Sequence, residues 1–183
     1  MSDNQVGTYK LVASPFHLDV RGKLSMGVLG KHLLNCADAY AAERGFDVVE
    51  QGGEHYTWVL SRLAIELEDL PSCHESFSIQ TWVENVYRLF ADRNFVICNK
   101  DEKPIGYVRS VWAMISMENR NPVNLLDLHG DRITNSICEK ECPIAKPGRI
   151  KVSQQEAVSE YVAKYSDLDI NGHVNSIKYI EHI

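Results

Sequence analysis

Asp167, Asp169, Asn171, His173 and Asn175 crowd around Gly172 in the run Asp167-Leu168-Asp169-Ile170-Asn171-Gly172-His173-Val174-Asn175. These residue types suit attack of water on a carbonyl. A histidine can accept a proton from water near neutral pH. Asn171 can hold a carbonyl oxygen or a water without changing charge. Asp169 can orient the turn backbone or the water, and Gly172 permits positive φ or close backbone approach. The run reads as a strand-to-helix turn. A helix beginning there would bring unpaired N–H groups and the positive end of a dipole, which can hold a developing oxyanion. That dipole also disfavours an imidazolium, which suits a general base. The alternative is a plain helix cap, because Asp and Asn are favoured at N-caps, Gly at turns, and one histidine makes no catalyst alone. No Ser-centred elbow, phosphate-binding Walker loop or His-Glu-x-x-His motif competes with this cluster.

The cluster has an echo. Shifted back by 150 positions, Leu168-Asp169-Ile170-Asn171-Gly172 falls on Leu18-Asp19-Val20-Arg21-Gly22. In the same register Val162-Ala163 matches Val12-Ala13, and His182 matches His32. Asn171 and His173 face Arg21 and Lys23, so the copies differ where chemistry would sit. A duplicated module with one working site is expected.

The elements that must position the cluster can be read from periodicity. Residues 8–20 suggest a strand interrupted at Pro15. Ser25 is a plausible N-cap for a helix over 26–44, with Met26, Leu29, Leu33, Ala37, Tyr40 and Ala41 at helical spacing and Gly45 as its stop. Residues 57–68 alternate, with Val59, Leu63, Ile65 and Leu67 on one side and Arg62 and Glu66 on the other. Residues 75–84 repeat this with Phe77, Ile79 and Val83. Segments 91–99 and 104–117 form a hairpin around Asn99-Lys100-Asp101-Glu102-Lys103. One long helix followed by a run of antiparallel strands implies an α+β layer arrangement, a sheet wrapped around the helix. Residues 118–157 read as a long connection with short structure of its own. A strand over 158–165 and a helix from 173 to 183 restart the pattern. The expected organisation is therefore a first module over 1–117, a connection over 118–157 and the start of a second module over 158–183.

The chain has 183 residues, 44% of them hydrophobic and 24% charged, and a net charge of −6, which suits a folded domain and disfavours a nucleic-acid face. No apolar run is long enough for a membrane helix, and the N-terminus lacks signal-peptide features. Five cysteines without a Cys-x-x-Cys pair fit reduced thiols in the cytoplasm. Cys138 and Cys142 have no second ligand pair, so no metal is expected. Trp58, Trp82 and Trp112 lie on expected strands, where aromatic residues usually pack in cores. Lys and Arg at 88, 93, 109, 120, 132, 146, 149 and 151 are read as solvated surface.

The segment from Tyr165 to Ile180 resembles the active-site motif of acyl-acyl-carrier-protein thioesterases. Tyr56-Thr57-Trp58-Val59-Leu60-Ser61-Arg62 is similar to the family's Trp-containing strand. Thr81-Trp82-Val83, Arg93-Asn94-Phe95 and Ser110-Val111-Trp112-Ala113-Met114 resemble successive strands, and Gly27 to Cys36 is closest to the bacterial branch. The resemblance implies a tandem double hotdog fold, here with its second module incomplete. It implies hydrolysis of fatty acyl-carrier-protein thioesters, with Asp169, Asn171 and His173 on the catalytic turn and Asn175 supporting. The family's remaining catalytic position, an acid or cysteine, lies further along the second module. No metal or redox cofactor is implied. The expected partner is acyl carrier protein bearing a phosphopantetheine-linked chain, and a homodimer is among the expected assemblies. A non-catalytic acyl-binding protein and an acyl-coenzyme A thioesterase are the rival readings.

Overall fold

The computed structural model describes residues 5–51, 53–149, 159–169 and 172–181. The elements run β1 (Gly7–Val12), α1 (Met26–Glu43), β2 (Val49–Gln51), β3 (Glu54–Leu67), β4 (Ser76–Val86), β5 (Ala91–Cys98), β6 (Pro104–Ser116), α2 (Leu125–His129), α3 (Asp131–Thr134) and α4 (Ser176–Glu181). The strands form one antiparallel sheet in the order β1-β4-β5-β6-β3-β2. Its inner face packs on α1. This is the expected α+β arrangement, a curled sheet around a helix.

α1 begins where its sequence dictates. The Ser25 hydroxyl accepts the Val28 N–H at 3.4 Å, capping an otherwise unpaired amide. At the other end Gly45 takes φ +68°, which a side chain would resist. Leu29, Leu33, Cys36 and Ala37 form one buried stripe against Phe77, Ile79, Phe95, Ile97 and Val108 of the sheet. Burial pushes the Cys36 thiol up to about 12, so it serves here as a small apolar filler.

β3 departs from the expected phase. The ladder slips between Leu60 and Arg62, so the strand changes face at a bulge. Before the bulge Tyr56 and Trp58 pack inward; after it Leu63, Ile65 and Leu67 do. Val59, expected on the inner side, is therefore turned out and 38% exposed.

Three further boundaries differ from the sequence reading. The first strand stops at Val12, and a 3₁₀ turn at Pro15–His17 follows, since proline cannot continue a ladder. Residues 159–165 form no strand among the described residues. The equivalent first-module segment is held by pairing with β4, and 159–165 have no such described neighbour. The last helix starts at Ser176 rather than 173. The connection does carry short structure: α2, α3, and a stretch from Cys138 to Ile144 that covers Trp82 on the outer face of the sheet. No described helix is long and apolar enough to cross a membrane.

His129, the last residue of α2, is a buried base. Its ring stacks on Trp58 at 5.8 Å and meets Phe46 edge-on, and neither ring nitrogen has a hydrogen-bond partner. Burial, with Arg132 second, pushes its pKa down. His32, its Nε2 also unpartnered, is shifted the same way by burial and by His17. The unfolded chain therefore binds protons at a higher pH than the folded one. The stability these two histidines contribute is complete above the ordinary histidine value of 6.5 and is lost as pH falls below it. Thermal melts across that range should show Tm falling with pH, and His129→Phe should flatten the slope. An unchanged slope would assign the effect to other groups.

Candidate active site

The turn from Lys164 to Asn175 is built on two aspartates. Asp167, 3% exposed, accepts the Tyr161 hydroxyl at 2.6 Å and the Lys164 N–H at 2.7 Å, and Lys178 lies 3.7 Å away. The Tyr161 hydrogen bond, then the Lys164 amide, hold its carboxyl below the usual range. Asp169 closes the next loop. Its Oδ1 accepts the His173 N–H at 3.0 Å, its backbone N–H donates to the His173 carbonyl at 2.8 Å, and its own carbonyl accepts the Gly172 N–H at 3.0 Å. Gly172 sits at φ +74°, so this turn requires glycine. Asn175 then caps α4: its Oδ1 accepts the Ile177 N–H at 3.0 Å.

The echo recurs atom by atom. In the first copy the Asp19 N–H donates to the Lys23 carbonyl at 2.8 Å, the Asp19 carbonyl accepts the Gly22 N–H at 3.0 Å, and Gly22 also has φ +74°. The Asp19 carboxylate accepts the Lys23 N–H at 3.2 Å, as Asp169 accepts that of His173. The two turns are one scaffold. The first presents Arg21 and Lys23, salt-bridged to Asp19 and Asp69; the second presents an imidazole at 173.

Asp169 and His173 are thus joined, Asn175 bonds instead to Asp167 and to the first turn of α4, and Asn171 lies outside the described residues. Asp169 acts on the backbone, the first of its two expected roles. Asn175 is a helix cap, as the plainer reading held. The expectation of amides open to an oxyanion is not met at Gly172, His173, Asn175 or Ile177, because each N–H already has an acceptor.

α4 docks on α1 through glycine. A Cβ on Gly30 would lie 2.7 Å from Ile177 Cδ1, and one on Gly27 would lie 2.5 Å from Glu181 Cγ. Lys31 reaches Glu181 at 3.6 Å. As α4 advances from Ile177 to Glu181, its partners on α1 step back from Gly30 to Gly27. The helix that follows the His173 turn is thereby packed on the N-terminal half of α1.

Leu34 borders a cavity of about 250 Å³. It lies between α1 and the sheet, with exposed Asp38 and Val48 at its border and Trp58, Trp112 and buried Arg93 in its wall. Trp82 is fully buried on the opposite face. Arg93, expected on the solvated surface, is 6% exposed. Arg109 is likewise half-buried or deeper, its Nη1 2.6 Å from Glu84. A signal for Arg93 was present: it falls in phase with Ala91, Phe95 and Ile97 on a strand buried on both faces. Among the described residues no group of three or more His, Cys, Asp or Glu could hold a metal ion.

Comparison with known proteins fits this geometry. The model for the acyl-ACP thioesterase N-terminal domain matches residues 8–130, and that for the C-terminal domain of the same enzymes matches residues 150–183. The chain is 60% identical to an acyl-ACP thioesterase from Bacteroides thetaiotaomicron of known crystal structure, with a TM-score of 0.90 over 100% of this chain and 74% of that one. A 12:0-ACP thioesterase from Umbellularia californica, at 16% identity, shares the fold with a TM-score of 0.76 over 97% of this chain and 68% of that one. Among curated relatives, the chloroplastic palmitoyl-acyl carrier protein thioesterase of Gossypium hirsutum is 24% identical over 80% of this chain. The chloroplastic oleoyl-acyl carrier protein thioesterase 2 of Arabidopsis thaliana is 29% identical over 69% of it. The chain spans 37% of the length of each of these two plant relatives.

Proposed function

This chain belongs to the acyl-ACP thioesterase family, and we propose that the protein hydrolyses the thioester joining a fatty acyl chain to the phosphopantetheine of acyl carrier protein. Supporting this reading are the matches to both domains of the family, an apolar cavity between α1 and the sheet, and the packing of α4, the helix that follows the His173 turn, on α1. In this reading the acyl chain lies in the cavity and its carbonyl meets the turn. His173 takes a proton from water as the water oxygen bonds to the carbonyl carbon. The C–S bond then breaks, the proton passes to the leaving thiolate, and free fatty acid departs. Asn171 holds the carbonyl or the water, Asp169 fixes the loop that carries His173, and Asn175 anchors the following helix. Water is the nucleophile and a thiolate is a competent leaving group, so no metal or redox cofactor is required.

We read residues 158–183 as the start of a second hotdog module, supported by the turn repeated at a spacing of 150 and by the separate family match there. The further catalytic acid or cysteine of the family would come from that module. A cytoplasmic site of action is supported by cysteines that are all unpaired.

The test is steady-state hydrolysis by the full-length protein of carrier-linked and coenzyme-A-linked chains of equal length. The expected result is turnover of both with the larger kcat/KM on the carrier. Equal values would point to an acyl-coenzyme A thioesterase. Binding without release of free acid would make it an acyl-binding protein.

A further inference from the structure

Arg93 is an unusual wall for an apolar cavity. Its side chain is buried, and the titratable groups acting on it are Tyr40, Tyr9 and Arg44, with no carboxylate among them. Its Nη1 donates to Thr81 Oγ1 at 3.5 Å, and its guanidinium lies 4.6 Å from the centre of the Tyr40 ring. Thr81 is itself tied, donating to the Asn94 carbonyl at 3.0 Å, and the Ser110 hydroxyl donates to the Arg93 carbonyl at 2.9 Å. The guanidinium is thus placed by the Thr81 hydroxyl and the Tyr40 ring, and the backbone that carries it is pinned by Ser110. It carries more N–H donors than the Thr81 bond uses, and the space beside it is the cavity.

We propose that Arg93 is a specificity-determining residue that ends the acyl cavity at a polar stop, admitting unsubstituted chains only up to the length that reaches its guanidinium. A shorter chain leaves Arg93 its water. A chain that reaches it displaces that water with methylene groups and strands the donors in a dry site, at a cost of about 10-fold in binding per stranded donor. A chain of the longer length with a terminal hydroxyl would supply the missing acceptor. The inference rests on the proposed function for its substrate. It adds where the chain must stop and why the stop is electrostatic as well as steric.

The test is kcat/KM of the full-length protein over a length series of unsubstituted acyl-carrier thioesters, with wild type and Arg93→Met. One ω-hydroxylated chain, a carbon longer than the wild-type limit, completes the set. The expected result is a drop of about 10-fold or more at the wild-type limit. Arg93→Met should move that drop to longer chains, and the hydroxyl should rescue wild type alone. Arg93→Lys, which keeps the charge, should retain the rescue and serves if the methionine variant fails to fold. The same series of free fatty acids, read by displacement of a fluorescent fatty acid, reports the limit without turnover. A limit seen in binding but no hydrolysis would overturn the proposed function and leave this inference standing. Hydrolysis or binding with the same length profile in wild type and Arg93→Met would overturn the inference and leave the function. A limit that moves in Arg93→Met with no hydroxyl rescue in wild type would overturn the polar stop in favour of a steric one.

Discussion

Replacing His173 by alanine in the full-length protein should lower kcat for acyl-carrier hydrolysis by about 10²–10⁴-fold, the contribution of a positioned general base. The fold should survive. Asp169 is stapled to the backbone of residue 173, which alanine keeps, and the His173 side chain is only partly buried. Thermal melting alongside the kinetics separates loss of the base from loss of the turn. A variant with full kcat would remove His173 from the mechanism and return the turn to a helix cap. Asp169→Ala makes a useful contrast, because it removes the acceptor of the His173 N–H while leaving the imidazole present. Its kcat should fall as well, with loosening of the turn.

The second large effect falls on stability. Trp82 is 0% exposed, donates its Nε1–H to the Lys140 carbonyl at 2.9 Å, and packs with Val96, Cys98, Cys142 and Ile144. Trp82→Ala should cost about 3–5 kcal/mol in urea unfolding, by lost contact area and by the cavity left behind. The same truncation at Trp112 should cost less, since Trp112 already borders open space. Equal losses at the two positions would mean that the segment from Cys138 to Ile144 does not seal the outer face of the sheet.

These two tryptophans show what the sequence could and could not reveal. Both sit on strands whose alternation and length were legible, as were α1, its Ser25 cap and the antiparallel run that wraps it. Which face each tryptophan takes was not legible, because the outer face is covered by a connection with no periodicity of its own. The bulge in β3 was hidden for a related reason. One extra residue resets the alternation, and no local residue type announces it, so Val59 was assigned to the wrong side.

The site divides in the same way. The turn at Asp169 to Asn175 was readable because its chemistry is local: an Asp closing a loop, a Gly at positive φ, an Asn capping a helix. Its likeness to the turn at Asp19 to Gly22 was readable from identity alone, and the shared hydrogen bonds now give it a physical basis. What lay beyond the sequence was the docking of the helix that follows that turn. It depends on Gly27 and Gly30 of α1 letting Ile177 and Glu181 approach, a contact between segments about 150 residues apart. Arg93 is hidden from the sequence because a charged residue taken without its neighbours looks solvated, whereas the buried strand around it places it in the cavity wall.

In the proposed function, this protein breaks acyl thioesters at the His173 turn. The decisive experiment follows thiol release when the purified full-length protein is mixed with acyl carrier protein bearing a fatty acyl chain. Multiple turnovers of thiol are expected, matched by free fatty acid and nearly abolished in His173→Ala. A protein that binds the acyl carrier and releases no thiol, or one whose turnover is unchanged by His173→Ala, would contradict it.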